Sequence, residues 1–418
     1  MKVSVLTLGC RVNQSESDII GSSLKKIGWS IVDLSEHPDY CIVNTCTVTA
    51  KSDYQSRQLI RRAVRAGAKV IVTGCYSQLR PEEVNNIEGV CRIVNNNNKL
   101  SIINMIAANN ARITFSHVGR SRPYLKIQDG CNFFCTYCTV PLSRGKSRSL
   151  GPLEVIQRAR VIEAAGYHEI VLTGIHLGLY GYDLKPQSKL SEIIKSILNN
   201  TNIKRIRLSS IEIKEVDNEL IELLQEERIC KHIHLPLQSG DDTILRLMNR
   251  MYLSKNYLSV IEKIIKNISD IAIGTDVIVG FPGEGNGEFK NTKRLLDSIP
   301  LAYMHIFPFS PRPNTFAFQM ANHNTSYVKR ERLHELKALN ERKRMAYMAS
   351  QVNKTLDVII EEKGVDHISI GTSSNYLKVK MPSNGYPKGA LVRVRVYGVE
   401  ENCLRGDLVD NMKRIDFK

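Results

Sequence analysis

Three cysteines at positions 131, 135 and 138 carry the most specific chemistry in this 418-residue chain. They stand in Gly130-Cys131-Asn132-Phe133-Phe134-Cys135-Thr136-Tyr137-Cys138, after a strand-like run at 124–128 and before the basic run Ser143-Arg144-Gly145-Lys146. Spacings of four and three residues in one loop let three thiolates aim at one point, and thiolate is a soft ligand suited to iron–sulfur clusters and zinc. Structural zinc sites close with four protein ligands. Three leave one metal position for an exogenous group, which makes a site reactive. The plainer readings are an incomplete zinc knuckle or buried cysteines.

A second triad is spread along the first part of the chain. Apolar runs end at Gly9-Cys10, at Asn44-Thr45-Cys46 and at Gly74-Cys75. In an open α/β sheet the crevice beyond the carboxyl ends of the strands is the ligand site, so Cys10, Cys46 and Cys75 can converge there. Glycine before two of them suits a close backbone approach to a bulky cofactor. The alternative is three small residues at tight turns. Beside them, Asn13, Gln14, Glu16 and Ser17 either cap the first helix or face a substrate.

The elements that must position these residues follow from periodicity. Strand candidates at 2–8, 29–34, 40–43 and 69–73 alternate with helix patterns at 15–27, 52–66 and 101–108, which predicts a parallel, doubly wound sheet. The second helix carries Arg57, Arg61, Arg62 and Arg65, either a solvated basic face or an RNA contact. Residues 116–123 have linker composition.

From 124 to about 313 the alternation resumes. Strands are expected at 125–128, 169–173, 203–209, 232–237, 272–279 and 302–307, with helices at 153–165, 190–199, 216–226, 242–249, 255–267 and 286–297. Six such units predict a partial, open (β/α)6 barrel of TIM type, with its site at the carboxyl ends of the strands. There lie Thr173-Gly174-Ile175-His176, Ser209-Ser210-Ile211-Glu212, Gln238-Ser239-Gly240 and Gly280-Phe281-Pro282-Gly283-Glu284; turn chemistry also explains the last. His176, His232, His234 and His305 read as buried, hydrogen-bonded histidines rather than bases.

Residues 328–348 form a charged connector helix. Beyond it, alternating runs at 356–360, 367–370, 376–380, 391–396 and from 403 predict a small five-stranded β-barrel. Tyr376, Lys378, Lys380, Arg393 and Arg395 give it the aromatic and basic positions of an RNA-binding barrel, a structural cap being the alternative. The α/β chain thus divides into 1–115, 118–348 (barrel and connector) and 352–418.

Composition narrows the partners. Lys and Arg number 58 against 42 Asp and Glu, a formal charge of +16, and so basic a chain usually meets a polyanion. No apolar run approaches the roughly eighteen residues of a membrane span, so no membrane is expected. The ten cysteines cluster as ligands rather than as a disulfide framework, which points to a reducing cytoplasm. Cys41, Cys91, Cys230 and Cys403 read as packing residues.

The loop 131–138 resembles that of radical S-adenosylmethionine (SAM) enzymes. Nearly the whole chain resembles the methylthiotransferases, through Leu8-Gly9-Cys10-Arg11-Val12-Asn13, Asn44-Thr45-Cys46-Thr47-Val48, Thr73-Gly74-Cys75-Tyr76 and Gln128-Asp129-Gly130-Cys131 through Arg144-Gly145. The resemblance implies two [4Fe-4S] clusters, one on Cys131, Cys135 and Cys138 with SAM on its open iron, the other on Cys10, Cys46 and Cys75. The first generates a radical that takes hydrogen from an adenine C2, the second presents a methylated sulfur, and each turnover uses two SAM. Tyr137 then packs near the SAM adenine. Thr173, Gly174, Ser209, Glu212 and Gln238 are the remaining SAM contacts, with Ser209 and Glu212 suited to ribose hydroxyls. The C-terminal barrel resembles the TRAM type. The wording at 172–178, 208–212 and 275–282 is similar to the branch that modifies N6-threonylcarbamoyladenosine (t6A) at position 37 of tRNA, beside the anticodon. An external electron donor is implied, and the oligomeric state is left open.

Ile175-His176 stands where the isopentenyladenosine branch usually has Gln-Asn. Ile213, Gly285 and Asn314 depart from common family residues (Pro, Thr and Gly). The rival readings are methylthiolation of a ribosomal-protein aspartate or of isopentenyladenosine, and, in another class, a non-catalytic iron–sulfur electron carrier with an RNA-binding tail.

Overall fold

Apolar runs in the first hundred residues build a parallel five-stranded sheet of order β2-β1-β3-β4-β5: β1 (Lys2–Thr7), β2 (Ser30–Ile31), β3 (Tyr40–Thr45), β4 (Lys69–Gly74) and β5 (Val90–Val94). The computed structural model describes residues 1–107, 119–363 and 367–409. The central strands alternate between two cores, as a period of two requires. Cys41, Val43, Val70 and Val72 pack with Ile60 and Ala63 of helix α2 (Ala50–Arg65) on one face. Ile42 and Ile71 pack with Ile20 and Leu24 of helix α1 (Arg11–Lys26) on the other. Helices on both faces make the sheet doubly wound, with the strand order reversing between β1 and β3.

Several local expectations change. Helix α1 begins at Arg11 with Cys10 as its N-cap, so Asn13, Glu16 and Ser17 lie inside it and cap nothing. The 29–34 strand shrinks to Ser30–Ile31 followed by a 3-10 turn at Leu34–Glu36. Strand β5 was not anticipated; Cys91 on it is exposed rather than packed. The last helix of this region runs Ser101–Ile106. Ala108, residues 116–118 of the linker, the boundaries at 115 and 118, and the chain end lie outside the described residues.

The next six strands are β6 (Tyr124–Lys126), β9 (Glu169–Thr173), β10 (Arg205–Leu208), β11 (His232–His234), β12 (Ala272–Val279) and β13 (Tyr303–Pro308), with the short pair β7 (Gln128–Asp129) and β8 (Arg148–Ser149) beside β6. They form parallel sheets of order β10-β9-β6 and β11-β12-β13. The two halves are stitched by Ile206 N to Arg228 O (2.7 Å), Cys230 N to Ile206 O (2.9 Å) and Ile211 N to His234 O (3.0 Å). One apolar core runs under both, from Leu125 to Leu339, giving the expected open, six-stranded half barrel. The helix Ser326–Ala349 closes against β13 and buries Arg332, Leu336 and Leu339.

A closed barrel of order β14-β15-β16-β18-β17 follows, built from β14 (Thr355–Lys363), β15 (Ile368–Ser373), β16 (Lys378–Pro382), β17 (Leu391–Glu400) and β18 (Cys403–Leu408). Val392, Val394 and Val396 point in while Arg393, Arg395 and Tyr397 point out. Tyr376 precedes β16 rather than belonging to it, at φ 67°. It wedges against the half barrel, 4.6 Å from the His232 ring and 5.9 Å from Tyr303, and its hydroxyl accepts from Arg11 of α1 (2.9 Å). It is therefore no platform for stacking a base. Arg205 and Arg207 fasten the same turn by donating to the carbonyls of Asp357, Thr372, Ser373 and Ser374 (2.9–3.2 Å). Among the described residues no helix is long and apolar enough to cross a membrane.

Candidate active site

The loop carrying Cys131, Cys135 and Cys138 is held from beneath by Gln128. Its amide donates to the carbonyls of Asp129 (2.9 Å) and Gly130 (2.8 Å) and to Ser147 Oγ (2.9 Å), and its Oε1 accepts from His176 N (2.8 Å). Each sulfur meets an N–H. Phe133 N lies 3.3 Å from Cys131 Sγ, Val140 N lies 3.4 Å from Cys138 Sγ, and Arg250 Nη1 lies 3.5 Å from Cys135 Sγ. His176 Nδ1 is a further 3.3 Å neighbour of Cys131 Sγ, while its Nε2 lies 2.5 Å from Glu215 Oε1. Burial depresses the His176 pKa, but these two partners outweigh it and push it up to about 10.

Burial pushes the Cys138 thiol up to about 12 and raises Cys135 as well, the latter against the pull of Arg250. A bound metal cation favours the thiolate form of such buried thiols. Three converging sulfurs, each already facing an N–H donor, fit an iron–sulfur group, whose sulfurs are commonly hydrogen-bonded.

Cys10, Cys46 and Cys75 end the neighbouring strands β1, β3 and β4, and they interact electrostatically with one another. The glycines before Cys10 and Cys75 are required by the turns themselves. A side-chain carbon on Gly9 (φ 96°) would sit 2.7 Å from Cys46 Sγ, and one on Gly74 (φ 104°) would strike the Thr45 backbone. Only glycine adopts these angles cheaply. Asn13 pins the same turns, donating to Leu8 O (2.8 Å) and Thr45 O (3.0 Å). Burial pushes Cys46 up to about 11; what fits a metal cluster is the donor set itself, three thiols at adjoining strand ends. The Cys46 turn is clamped onto the half barrel by Arg312, which pairs with Asp53 and donates to Thr47 Oγ1 (2.9 Å), and by Ala50 N to Ser310 Oγ (3.1 Å).

One cavity of about 500 Å³ is walled by all three sulfur residues of the loop, Cys131, Cys135 and Cys138, and by Cys10 of the second triad, whereas Cys46 and Cys75 are buried behind it. Tyr137, Glu212 and Gln238 line it too. Tyr137 packs edge-on against Phe281 (centroids 6.4 Å apart), and Gln238 turns inward through a left-handed backbone (φ 67°). Thr173, Gly174 and Ser209 do not reach the wall. Thr173 is buried with its carbonyl on Ile127 N (3.0 Å), and Gly174 is small because Gln128 packs where its side chain would stand. Ser209 is buried behind Ser210, which does line the cavity.

Gly280–Glu284 is a structural turn. Glu284 Oε1 accepts from Gly280 N (2.7 Å) and pairs with buried Arg332 (2.6 Å). Asn314 stands at φ 67°, where asparagine can replace the family's glycine.

Sequence reasoning missed Arg250, Glu215 and Asp276. Arg250 is buried, pairs with Glu212 and reaches Cys135. Asp276 lines the cavity between His234 (3.0 Å) and His305 (3.0 Å); burial opposes its ionisation, yet these histidines hold its carboxyl well below the usual range. His176, His232 and His234 are buried and bonded as expected, whereas the His305 side chain is 54% exposed. On the C-terminal barrel, Lys378 pairs with Glu361 and Lys380 lies 3.4 Å from Glu401. Arg393 and Arg395 are exposed. On α2, Arg57 is engaged by Tyr76 (3.0 Å) and Glu83 (3.4 Å), while Arg61, Arg62 and Arg65 are exposed.

Residues 125–296 match the radical SAM superfamily, and residues 2–95 match an uncharacterized protein family, UPF0004. Among curated proteins, the chain is 37% identical to the "Threonylcarbamoyladenosine tRNA methylthiotransferase MtaB" of Aquifex aeolicus, over 95% of this chain and all of that protein. It is 36% identical to the protein of the same name from Bacillus subtilis, over 94% and 93%. In fold it is similar to the radical SAM methyltransferase TsrM of Kitasatospora setae, solved with cobalamin and a [4Fe-4S] cluster: TM-score 0.57, 13% identity, 76% of this chain and 77% of that one.

Proposed function

The chain belongs to the radical SAM methylthiotransferases, and from that membership and the shared cavity we propose that it converts t6A at position 37 of tRNA to its 2-methylthio derivative. The observation that supports this is one cavity lined by Cys131, Cys135 and Cys138 and also by Cys10 of the N-terminal triad. An electron carrier needs no such space between its centres. The full-length likeness to relatives named for threonylcarbamoyladenosine favours that substrate over isopentenyladenosine or a ribosomal protein.

Cys131, Cys135 and Cys138 hold one [4Fe-4S] cluster and Cys10, Cys46 and Cys75 the other. When bound, they and SAM supply one-electron cleavage and a transferable methylthio sulfur. The chain's own residues do the rest. Tyr137 and Gln238 orient SAM, and the Arg250–Glu212 pair fixes the carboxylate that meets its ribose. Arg393 and Arg395 contact the RNA backbone. Lys378 and Lys380 join them by exchanging surface carboxylates for phosphates, a trade costing at most about 1 kcal/mol each. An external donor supplies electrons, and a reducing cytoplasm suits the free thiols. The test is nucleoside mass spectrometry of tRNA with and without the gene. We expect 2-methylthio-t6A to vanish and t6A to rise; unchanged levels overturn the proposal.

A further inference from the structure

The helix Val140–Arg144 lies between the two triads and touches both. At its start Val140 N meets Cys138 Sγ (3.4 Å). Near its end Ser143 O accepts from Asn96 Nδ2 (2.8 Å), and the same amide lies 3.9 Å from Cys75 Sγ. Its last residue, Arg144, is 2% exposed. The guanidinium donates to Asn13 Oδ1, to both oxygens of Glu16 (3.1 and 3.3 Å) and to Asp129 Oδ1 (2.8 Å). Lys126 bridges the same two carboxylates at 2.6 Å each, and Lys99 binds Glu16 and Asn44 Oδ1 (3.1 Å).

Three largely buried cations thus face two carboxylates, with half-exposed Arg148 a fourth at 3.7 Å from Asp129, and positive charge is in formal surplus. Burying charge is costly, and a lattice built only for stability would balance. The surplus lies beside the second triad: Asn13, which Arg144 meets, also donates to Leu8 O (2.8 Å) and Thr45 O (3.0 Å) just before Cys10 and Cys46, and Asn44, which Lys99 meets (3.1 Å), stands two residues before Cys46. A cubane on three thiolates is an anion that becomes more negative on reduction, so a fixed buried cation stabilises the reduced form more than the oxidised one.

We propose that Arg144, held by Glu16 and Asp129, is a positioning residue for the iron–sulfur group on Cys10, Cys46 and Cys75, raising its reduction potential and fixing its place relative to the 131–138 loop. This rests on the assignment of a cluster to that triad.

The test is an EPR-monitored redox titration of the full chain carrying C131A, C135A and C138A, which leaves iron only at the N-terminal triad. Adding Arg144→Met should make reduction about tenfold harder at a given potential, a shift of 59 mV to the negative for one electron. Arg144→Lys should restore most of it. The cluster on Cys131, Cys135 and Cys138, measured in a C10A, C46A, C75A chain, should shift much less. Unshifted potential in Arg144→Met at full iron content, or equal shifts at both clusters, overturns the proposal. If Arg144→Met loads no iron, Lys99→Met, which removes the other cation beside the triad, carries the same test of the charge effect, and an unshifted potential there overturns it too. Absence of iron in the starting C131A, C135A, C138A chain instead refutes the cluster assignment itself.

Discussion

Cys131, Cys135 and Cys138 come from one loop, and the backbone of that loop supplies two of the N–H groups that meet their sulfurs. Cys10, Cys46 and Cys75 come from three strand ends, and their meeting depends on strand order, on two left-handed glycines and on a buried ion lattice. The first triad is specified locally and the second by the whole fold. Both should bind metal, but the second should fail under changes that never touch a ligand.

The largest effect comes from the ligands themselves. Reconstituted protein should hold about eight irons, and replacing either triad by alanine should leave about four and abolish turnover. A fall to zero from one triad's loss would break the comparison. Glu16→Gln should come next, because it strands three cations around a lost carboxylate. We expect about 3–5 kcal/mol of destabilisation and iron lost first from the N-terminal triad.

The same carboxylate gives a pH signature. Burial opposes its ionisation, but Lys126, Lys99 and Arg144 hold its pKa well below the usual range. The stability this lends is complete above the unfolded glutamate value near pH 4.3 and is lost as pH falls below it. Apoprotein melting temperature should therefore drop on acidification below that point, and Glu16→Gln should flatten the drop.

Gly9→Ala is milder: strain of about 1–3 kcal/mol with partial loss of the N-terminal iron only. The smallest effect belongs to the C-terminal barrel. Arg393→Ala and Arg395→Ala should each weaken tRNA binding a few-fold, lowering the salt dependence by about one ion per contact, while iron content stays full.

What was readable in the chain follows the same division. The loop triad needed only its spacing, and period-two runs such as Lys69–Gly74 placed the strand ends on which the second triad depends. Gly9 and Gly74 were legible as points of close approach, and the neighbours that crowd them, Cys46 and the Thr45 backbone, come from the next strand end. Arg144 was visible only as part of a basic run, because its carboxylates lie on β7 and on α1, and no local pattern links Arg144 to Glu16. Arg250 carries no periodic signal at all. Tyr376 alternates with lysines as a base-stacking residue would, yet a left-handed turn redirects it.

That turn has a mechanical consequence. Tyr376 belongs to the last barrel, rests on the half barrel at His232, and receives its hydrogen bond from the first helix through Arg11. A phenol shared by three units acts as a rivet, so the terminal barrel does not swing on a tether like a crane arm. If the barrel holds tRNA as proposed, the RNA would have to do the bending, its nucleotide leaving the stack to reach the cavity at a cost of a few kcal/mol.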